Sequence, residues 1–426
     1  MNIGIVGAGY VGLVSGIGFA QLGHEVNISD IDTAKIEMLN CGQAPIFEAN
    51  INDALKPLVG KRLRATSNVA EMISKSSVVF LCVGTPCDDN TMQLGMLKQA
   101  VADIGTAIAS RNDYPIVVIK STVLPGTTEK VILPILEDKS GGKLGKRFGV
   151  VVNPEFLSEG NALNDFMYPS RIVIGEFDPK DGDITARLYE GIHAPILRVN
   201  PKTAEMIKCA SNAALAAKLS FINEIGDMCK QIGIDVYEVA KGVGLDPRIS
   251  PHFFKAGLGF GGSCLPKDVR ALVTWSKELQ CQSPLLESVL QVNEGRSRKL
   301  VELAEKKLGL LRGKTAAILG LAFKPGTDDI RETPSLKVIS ELLKRGVSVK
   351  VYDPVAEPNA RAILGTTVEF ADSTEEIIKD AELVFILTEW DEFCDPALYR
   401  GKKVFAGRRV FEPDEASTFD CEGLCW

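Results

Sequence analysis

At 426 residues the chain is too long for one compact core, and with 45% hydrophobic and 24% charged residues it has the composition of an ordinary globular protein of two or three domains. A net charge of −7 argues against nucleic acid as the main partner, because a polyanion binder usually needs a basic face to displace counterions. No apolar run approaches the ~20 residues that span a bilayer, so no membrane partner is expected.

The first part of the chain alternates strand-like and helix-like segments. Ile3–Val6 is a short apolar strand, Gly7-Ala-Gly-Tyr-Val-Gly12 follows it, and a helical pattern runs through Leu22. Glu25–Asp30 reads as the second strand, and Val78–Val83, Ile116–Ile119 and Gly149–Val152 as later ones. Continuous apolar strands separated by helices predict a parallel sheet covered on both faces. From about Thr203 to Ile232 the period becomes helical without a strong breaker, and further helical segments reach about residue 308. Alternation then returns with Thr315–Leu319, Val347–Tyr352 and Leu383–Leu387. The fold class expected is α/β: two Rossmann-like doubly wound domains joined by a central helical domain with a long spine helix. The expected bounds are 1–200, 201–308 and 309–426.

The ten cysteines are scattered and no pair has CxxC spacing. That argues against a zinc site or a disulfide framework and for a reducing, cytoplasmic setting. No metal is expected, and with a strand starting within two residues no signal peptide is expected either.

Gly7-x-Gly9-x-x-Gly12 lies between a strand and a helix, and Asp30 stands 18 residues beyond Gly12 at the end of the next strand. This is the dinucleotide fingerprint in its confirming context. The glycines, with Tyr10 and Val11 between them, bring a pyrophosphate onto the helix N-terminus. Asp30 would accept hydrogen bonds from the adenosine ribose and repel a 2′-phosphate, which favours NAD over NADP. Lys35 either touches the ribose or is a solvated helix-face lysine. Thr85 and Thr122, at the carboxyl ends of strands, either meet the cofactor or cap helices.

The segment Gly257-Leu-Gly-Phe-Gly-Gly-Ser-Cys-Leu-Pro-Lys-Asp268 carries the most chemistry. Its glycines, Gly261 among them, would let the backbone approach a ligand closely. Ser263 reads as a helix N-cap and Pro266 as a first-turn residue, which puts Cys264 at a helix N-terminus, where a thiol's pKa falls. A thiolate beside a dinucleotide site suits covalent chemistry on a carbonyl: an aldehyde held as a hemithioacetal can lose a hydride and leave a thioester. Asp268 lies one helical turn on. Cys82, Cys209 and Cys229, in apolar surroundings, read as structural thiols. Lys208 and Asn212 share a face of the spine helix. A lysine on that apolar helix either stabilises an oxyanion or snorkels to solvent. Glu155 and Glu159 follow a strand end, where they serve acid–base chemistry or cap a turn.

Together these residues resemble the UDP-glucose/GDP-mannose dehydrogenase family over essentially the whole chain. The segments that carry the resemblance are GAGYVG, SDID from Ser29, VGTP from Val83, KSTVLPGT from Lys120, NPEFLSEG from Asn153, the Lys208/Asn212 helix, DPRI from Asp246, GFGGSCLPKD from Gly259, FKPGTDDIRE from Phe323 and TEWDEF from Thr388. The helix segment and NPEFLSEG look most like the UDP-glucose branch. The resemblance implies oxidation of a nucleotide sugar at carbon 6 by two NAD, and a homodimer formed through the central region. It implies Cys264 as covalent nucleophile, Lys208 and Asn212 at the oxyanion, Asp268 and Thr122 on the water, and Glu155 in acid–base steps. Phe156, Leu157 and Glu159 would line sugar and cofactor, and Phe253, Lys255, Gly261 and Lys324 would hold the UDP-sugar. Arg248 would reach a neighbouring subunit's substrate, Arg331 the NAD phosphates and Arg408 the sugar. The sequence departs from the family at Ala406, which stands where an aspartate is usual, and in the tail with Cys421 and Cys425. A two-electron hydroxyacid dehydrogenase, or a binding protein without turnover, are the competing readings; neither needs Cys264.

Overall fold

Continuous apolar runs and tight glycine turns build two largely parallel sheets, one in each of two compact units, Met1–Ser211 and Asn212–Trp426. The computed structural model describes all 426 residues. In the first unit the strands are β1 (Asn2–Val6), β2 (Glu25–Ser29), β3 (Leu63–Thr66), β4 (Val78–Leu81), β5 (Ile116–Ile119), β6 (Gly149–Val152), β7 (Ile172–Glu176) and β8 (Ile196–Val199). Their spatial order is β3-β2-β1-β4-β5-β6-β7-β8. All neighbours are parallel except β6 and β7. Ile3 and Ile5, Val78 and Phe80, and Val117 and Ile119 are fully buried. Burial on both faces is what an all-parallel sheet demands of its side chains. The order reverses between β1 and β4, which leaves a crevice at their carboxyl ends, the place where such sheets bind ligands.

The second unit repeats the pattern with β9 (Thr315–Leu319), β10 (Ser348–Tyr352), β11 (Glu369–Phe370), β12 (Leu383–Ile386), β13 (Lys403–Ala406) and β14 (Asp420–Gly423). Their order, β11-β10-β9-β12-β13-β14, is that of the first six strands of unit one, and all are parallel. The tail thus completes the sheet. Its strand Asp-Cys-Glu-Gly is short and polar, and nothing in its periodicity announced it.

Four helices position the site. α1 (Tyr10–Gln21) follows the glycine turn. α2 (Pro201–Ile232) is the spine, 32 residues or about 48 Å long; the boundary between the units falls within it. α3 (Leu265–Glu278) follows the glycine loop, and α4 is Pro284–Leu308. No helix is long and apolar enough to cross a membrane. The second strand stops one residue earlier than expected, so that Asp30 stands just past it.

Candidate active site

At the end of β1 the chain turns through Gly7, Ala8 and Gly9 into α1. A Cβ on Gly12 would lie 1.9 Å from the Gly7 carbonyl oxygen, so only glycine lets the helix sit this close to its own turn. A Cβ on Gly9 would meet nothing within 4 Å, and the first N–H groups of α1 are left bare on an open face. Asp30 closes the turn from the side: Oδ2 accepts from Ala8 N–H at 2.7 Å, and Oδ1 from Asp32 N–H at 2.9 Å. Asp32 in turn caps the helix that carries Lys35, accepting from Ala34 and Lys35 N–H. These residues fit a dinucleotide: an open helix N-terminus for the pyrophosphate, with a carboxylate at the ribose position.

Thr85 and Thr122 are brought together. The Thr85 hydroxyl donates to the Thr122 carbonyl at 2.7 Å, and Ser121 donates to Val83 O at 2.7 Å. The helix-cap reading of Thr85 therefore gives way to a tie between two loops. Tyr10 Oη accepts from Gly160 N–H at 2.9 Å. Glu48, buried, accepts from Gly160 N–H at 2.7 Å and Ala162 N–H at 2.8 Å, fixing the loop that carries half-buried Glu159. Glu48 escaped the sequence reading because it belongs to no motif.

Glu155, three residues beyond β6, pairs with Lys208 of the spine at 2.9 Å, their side chains 6% and 4% exposed. Its other oxygen accepts from Leu157 N–H at 2.6 Å. Burial disfavours the carboxylate, but the Lys208 charge and hydrogen bond outweigh it and hold Glu155 below its usual range. Burial also rules out the solvent-snorkelling reading of Lys208. Phe156 lies 3.8 Å below the Arg171 guanidinium and 5.5 Å from Lys208 Nζ. Behind Glu155, buried Lys120 donates to Asn153 Oδ1 at 3.0 Å and Tyr189 Oη at 3.2 Å. Lys120, Asn153, Glu155, Phe156 and Leu157 line a cavity of about 220 Å³. The signal for Lys120 was present: a lysine directly closing an all-apolar strand.

In the second unit the expected N-cap moves by one residue. Cys264, not Ser263, precedes the first turn of α3, with Pro266 inside that turn and no side-chain cap bond. Ser263 has its hydroxyl within 3.4 Å of Cys264 Sγ. Cys264 is exposed, whereas Cys82, Cys209 and Cys229 are buried. Burial pushes the Cys82 thiol up to about 12, so it stays protonated and inert. Asp268 N–H donates to Cys264 O at 2.9 Å. The buried Asp268 carboxylate accepts from Asn212 Nδ2 at 2.6 Å and pairs with Lys267.

The glycine loop is packed closely against its own protein. A Cβ at Gly257, Gly259, Gly261 or Gly262 would strike protein: Gly407 O, Asn293 Oδ1, Glu332 O or the Phe323 ring, all at 2.8 Å or less. The space a side chain would need at these four positions is taken by the walls of the fold. Lys255 and Arg408 line one cavity of about 420 Å³. Arg408 Nη2 donates to Gly259 O at 2.8 Å. Lys324 Nζ lies 5.5 Å from the Phe323 ring, Arg331 grips Asp329 with two nitrogens, and Phe253 is exposed. Arg248, 87% exposed, pairs only with its neighbour Asp246 among carboxylates.

The turn after β9 shows how the second sheet differs. Asp353 occupies the place of Asp30 but is 2% exposed. One of its oxygens accepts from Leu321 N–H, Ala322 N–H and Trp390 Nε1–H, and the other from Val355 and Ala356 N–H, at 2.7 to 3.2 Å. With its acceptors saturated, this carboxylate has none to offer a ribose.

Comparison with known proteins agrees with the first-unit turn. Three profiles of the UDP-glucose/GDP-mannose dehydrogenase family match in order: its NAD binding domain over residues 1–193, its central domain over 202–295 and its UDP binding domain over 317–413. The chain belongs to this family. It is 41% identical over 422 residues to the UDP-glucose 6-dehydrogenase TuaD of Bacillus subtilis, covering 97% of this chain and 90% of that one. It is 37% identical to a GDP-mannose 6-dehydrogenase of Pseudomonas putida over the full length of both. Among solved structures, a UDP-glucose dehydrogenase from the hyperthermophilic archaeon Pyrobaculum islandicum matches with a TM-score of 0.95 at 40% identity, covering 100% of this chain and 97% of that one. The dinucleotide turn thus belongs to an NAD binding domain, and the fold is the two-Rossmann arrangement expected from the sequence.

Proposed function

We propose that the protein oxidises UDP-glucose to UDP-glucuronate. The observation that carries this reading is an exposed thiol, Cys264, at the start of a helix whose first turn holds Asp268, itself bonded by Asn212 of the spine. Binding alone, or a single alcohol oxidation, needs no such thiol. NAD, when bound, accepts one hydride in each of two oxidations. In the first, Glu155 takes up the hydroxyl proton and Lys208 stabilises the alkoxide as the aldehyde forms. Cys264 then adds through sulfur to the aldehyde carbon, and the oxyanion gains a proton to give a thiohemiacetal. Loss of the second hydride to the second NAD, with the hydroxyl proton passing to solvent, leaves a thioester. Water held by Asp268 and Thr122 attacks that carbon, Lys208 and Asn212 steady the tetrahedral oxyanion, and the C–S bond breaks to return the thiol and release the carboxylate.

The NAD site is formed by Gly7, Gly9, Tyr10, Val11, Gly12, Asp30, Lys35, Thr85, Thr122, Glu159 and Arg331. Phe156, Leu157, Phe253, Lys255, Gly261, Lys324 and Arg408 hold the UDP-sugar, with Arg248 serving a neighbouring subunit. The domains run 1–200, 201–308 and 309–426. Exposed Phe221 and Met228 on the spine, with Leu245 and Leu285, support a homodimer through the central region. Ten free thiols support a cytoplasmic setting.

The test is a panel of UDP- and GDP-sugars assayed for NADH and acid. Two NADH per uronate from UDP-glucose are expected. One NADH per sugar, or no acid, refutes the four-electron scheme. Preference for GDP-mannose, the substrate in the name of the Pseudomonas putida relative, would replace the sugar but keep the chemistry.

A further inference from the structure

The segment Gly257–Ser263 has no regular secondary structure, yet side chains bond its backbone much as a neighbouring strand would. Asn223 of α2 accepts from Gly257 N–H at 2.7 Å, and Arg296 of α4 donates to Gly257 O at 2.8 Å. One turn earlier on α4, Asn293 takes both backbone groups of Phe260. Its Oδ1 accepts from the N–H at 2.8 Å, and its Nδ2 donates to the carbonyl at 2.9 Å. Phe260 is 4% exposed, so water does not replace those bonds if they are lost. Gly259 explains how the amide gets there. Its φ is +86°, and a Cβ would stand 2.2 Å from Asn293 Oδ1. The absent side chain is the space through which Asn293 reaches the loop.

We propose that Asn293 is a positioning residue for Cys264. A planar amide offers one donor and one acceptor side by side, the pattern that a single residue's N–H and C=O require. No other neutral side chain of this length does. By closing this ring on Phe260, four residues before the nucleophile, Asn293 sets the path along which the loop enters α3, and so the position of the thiol at the helix N-terminus. The proposal rests on Cys264 being the nucleophile.

The experiment compares wild type with Asn293→Ala and Asn293→Asp. The aspartate keeps the acceptor but loses the donor and sets a carboxylate against the Phe260 carbonyl. NADH production is measured with the rate of Cys264 carbamidomethylation by iodoacetamide as a function of pH, the modified peptide being identified by mass spectrometry. In both variants kcat is expected to fall on the order of tenfold to a hundredfold, the cost of a misplaced reacting group. KM for both substrates should stay within about threefold. The alkylation profile should shift in pH or fall in rate by a similar factor. A folded variant with wild-type kcat and alkylation profile overturns the proposal, as does a rise in KM alone. If neither variant folds, hydrogen exchange on the wild-type protein decides. Phe260 N–H protected like a helix interior supports the clamp, and exchange at the rate of an open loop overturns it. If alkylation of Cys264 leaves wild-type activity intact, the nucleophile assignment itself fails; if alkylation inactivates but the variants behave as wild type, only the role of Asn293 fails.

Discussion

Replacing Glu155 by glutamine separates the electrostatic role of the Glu155–Lys208 pair from its chemical role. The two groups meet at 2.9 Å with side chains 6% and 4% exposed, so solvent screens them little. Glu155→Gln leaves the Lys208 charge buried with no carboxylate at that position. Removing one partner of a buried pair costs about 3–5 kcal/mol, mostly the desolvation of the charge left behind. The pair lies in a unit that runs from Met1 to Ser211. For a domain of that size each kcal/mol moves the melting temperature by roughly 2–4 °C, so the unit's transition should fall by about 6–20 °C. The double variant Glu155→Gln/Lys208→Met buries no charge there and should regain most of that loss, since apolar replacement of a buried pair is often neutral. It should still lack activity. Calorimetry on the three proteins, with NADH production alongside, checks both statements. A single variant as stable as wild type, or a double variant no better than the single, would show that the pair is not the buried unit described.

The sign of the pH dependence follows from the same pair. Glu155 is held below its ordinary value of 4.5. Its stabilisation is therefore fully present above that value and is lost as pH falls through the lower folded-state value. In a Lys208→Met variant burial dominates at Glu155 and raises its pKa, so this site no longer loses stability on acidification, and the acid-side fall in stability of the first unit should be shallower than in wild type, measured by circular dichroism. Cys264→Ser should abolish acid formation while leaving NAD affinity within about threefold by calorimetry, because only the covalent step needs sulfur. Gly12→Ala should abolish NAD binding, since its methyl would fall 1.9 Å from Gly7 O; titration with NAD shows this directly. Under brief maleimide treatment, exposed Cys41, Cys264 and Cys281 should be labelled, and buried Cys82, Cys209, Cys229 and Cys425 spared. Early labelling of Cys82 would contradict its burial and its raised pKa.

Where a local pattern carried the physics, the sequence was legible. β1, the glycine turn and α1 follow from three glycines between an apolar run and a helical period. The spine helix was found to within two residues of its start at Pro201. What escaped depends on contacts between distant segments. The partner of Lys208 lies 53 residues away, and no periodicity links Glu155 to it. Glu48 stands 112 residues from the Gly160 amide it holds. The one-residue shift of the cap from Ser263 to Cys264 is of the same kind: local propensity favours serine, but the loop is held by Asn293, Arg296 and the carbonyl of Arg331. The glycines of that loop were visible, but not the distant residues, Asn293, Phe323, Glu332 and Gly407, whose atoms fill the space beside them.

The hydrogen bond from Ala8 N–H to Asp30 has a consequence for anyone who would retarget this protein to NADP. The residue that would reject the extra phosphate is also a brace of the pyrophosphate turn. Exchanging it for a small neutral residue removes the repulsion and, in the same stroke, strips an acceptor from the turn that both cofactors need. A successful swap has to supply two things at once: a cation for the new phosphate and a substitute acceptor for the Ala8 amide. Cofactor preference and turn rigidity are here one inherited trait, and single-site redesign at Asp30 should yield proteins that bind both dinucleotides poorly.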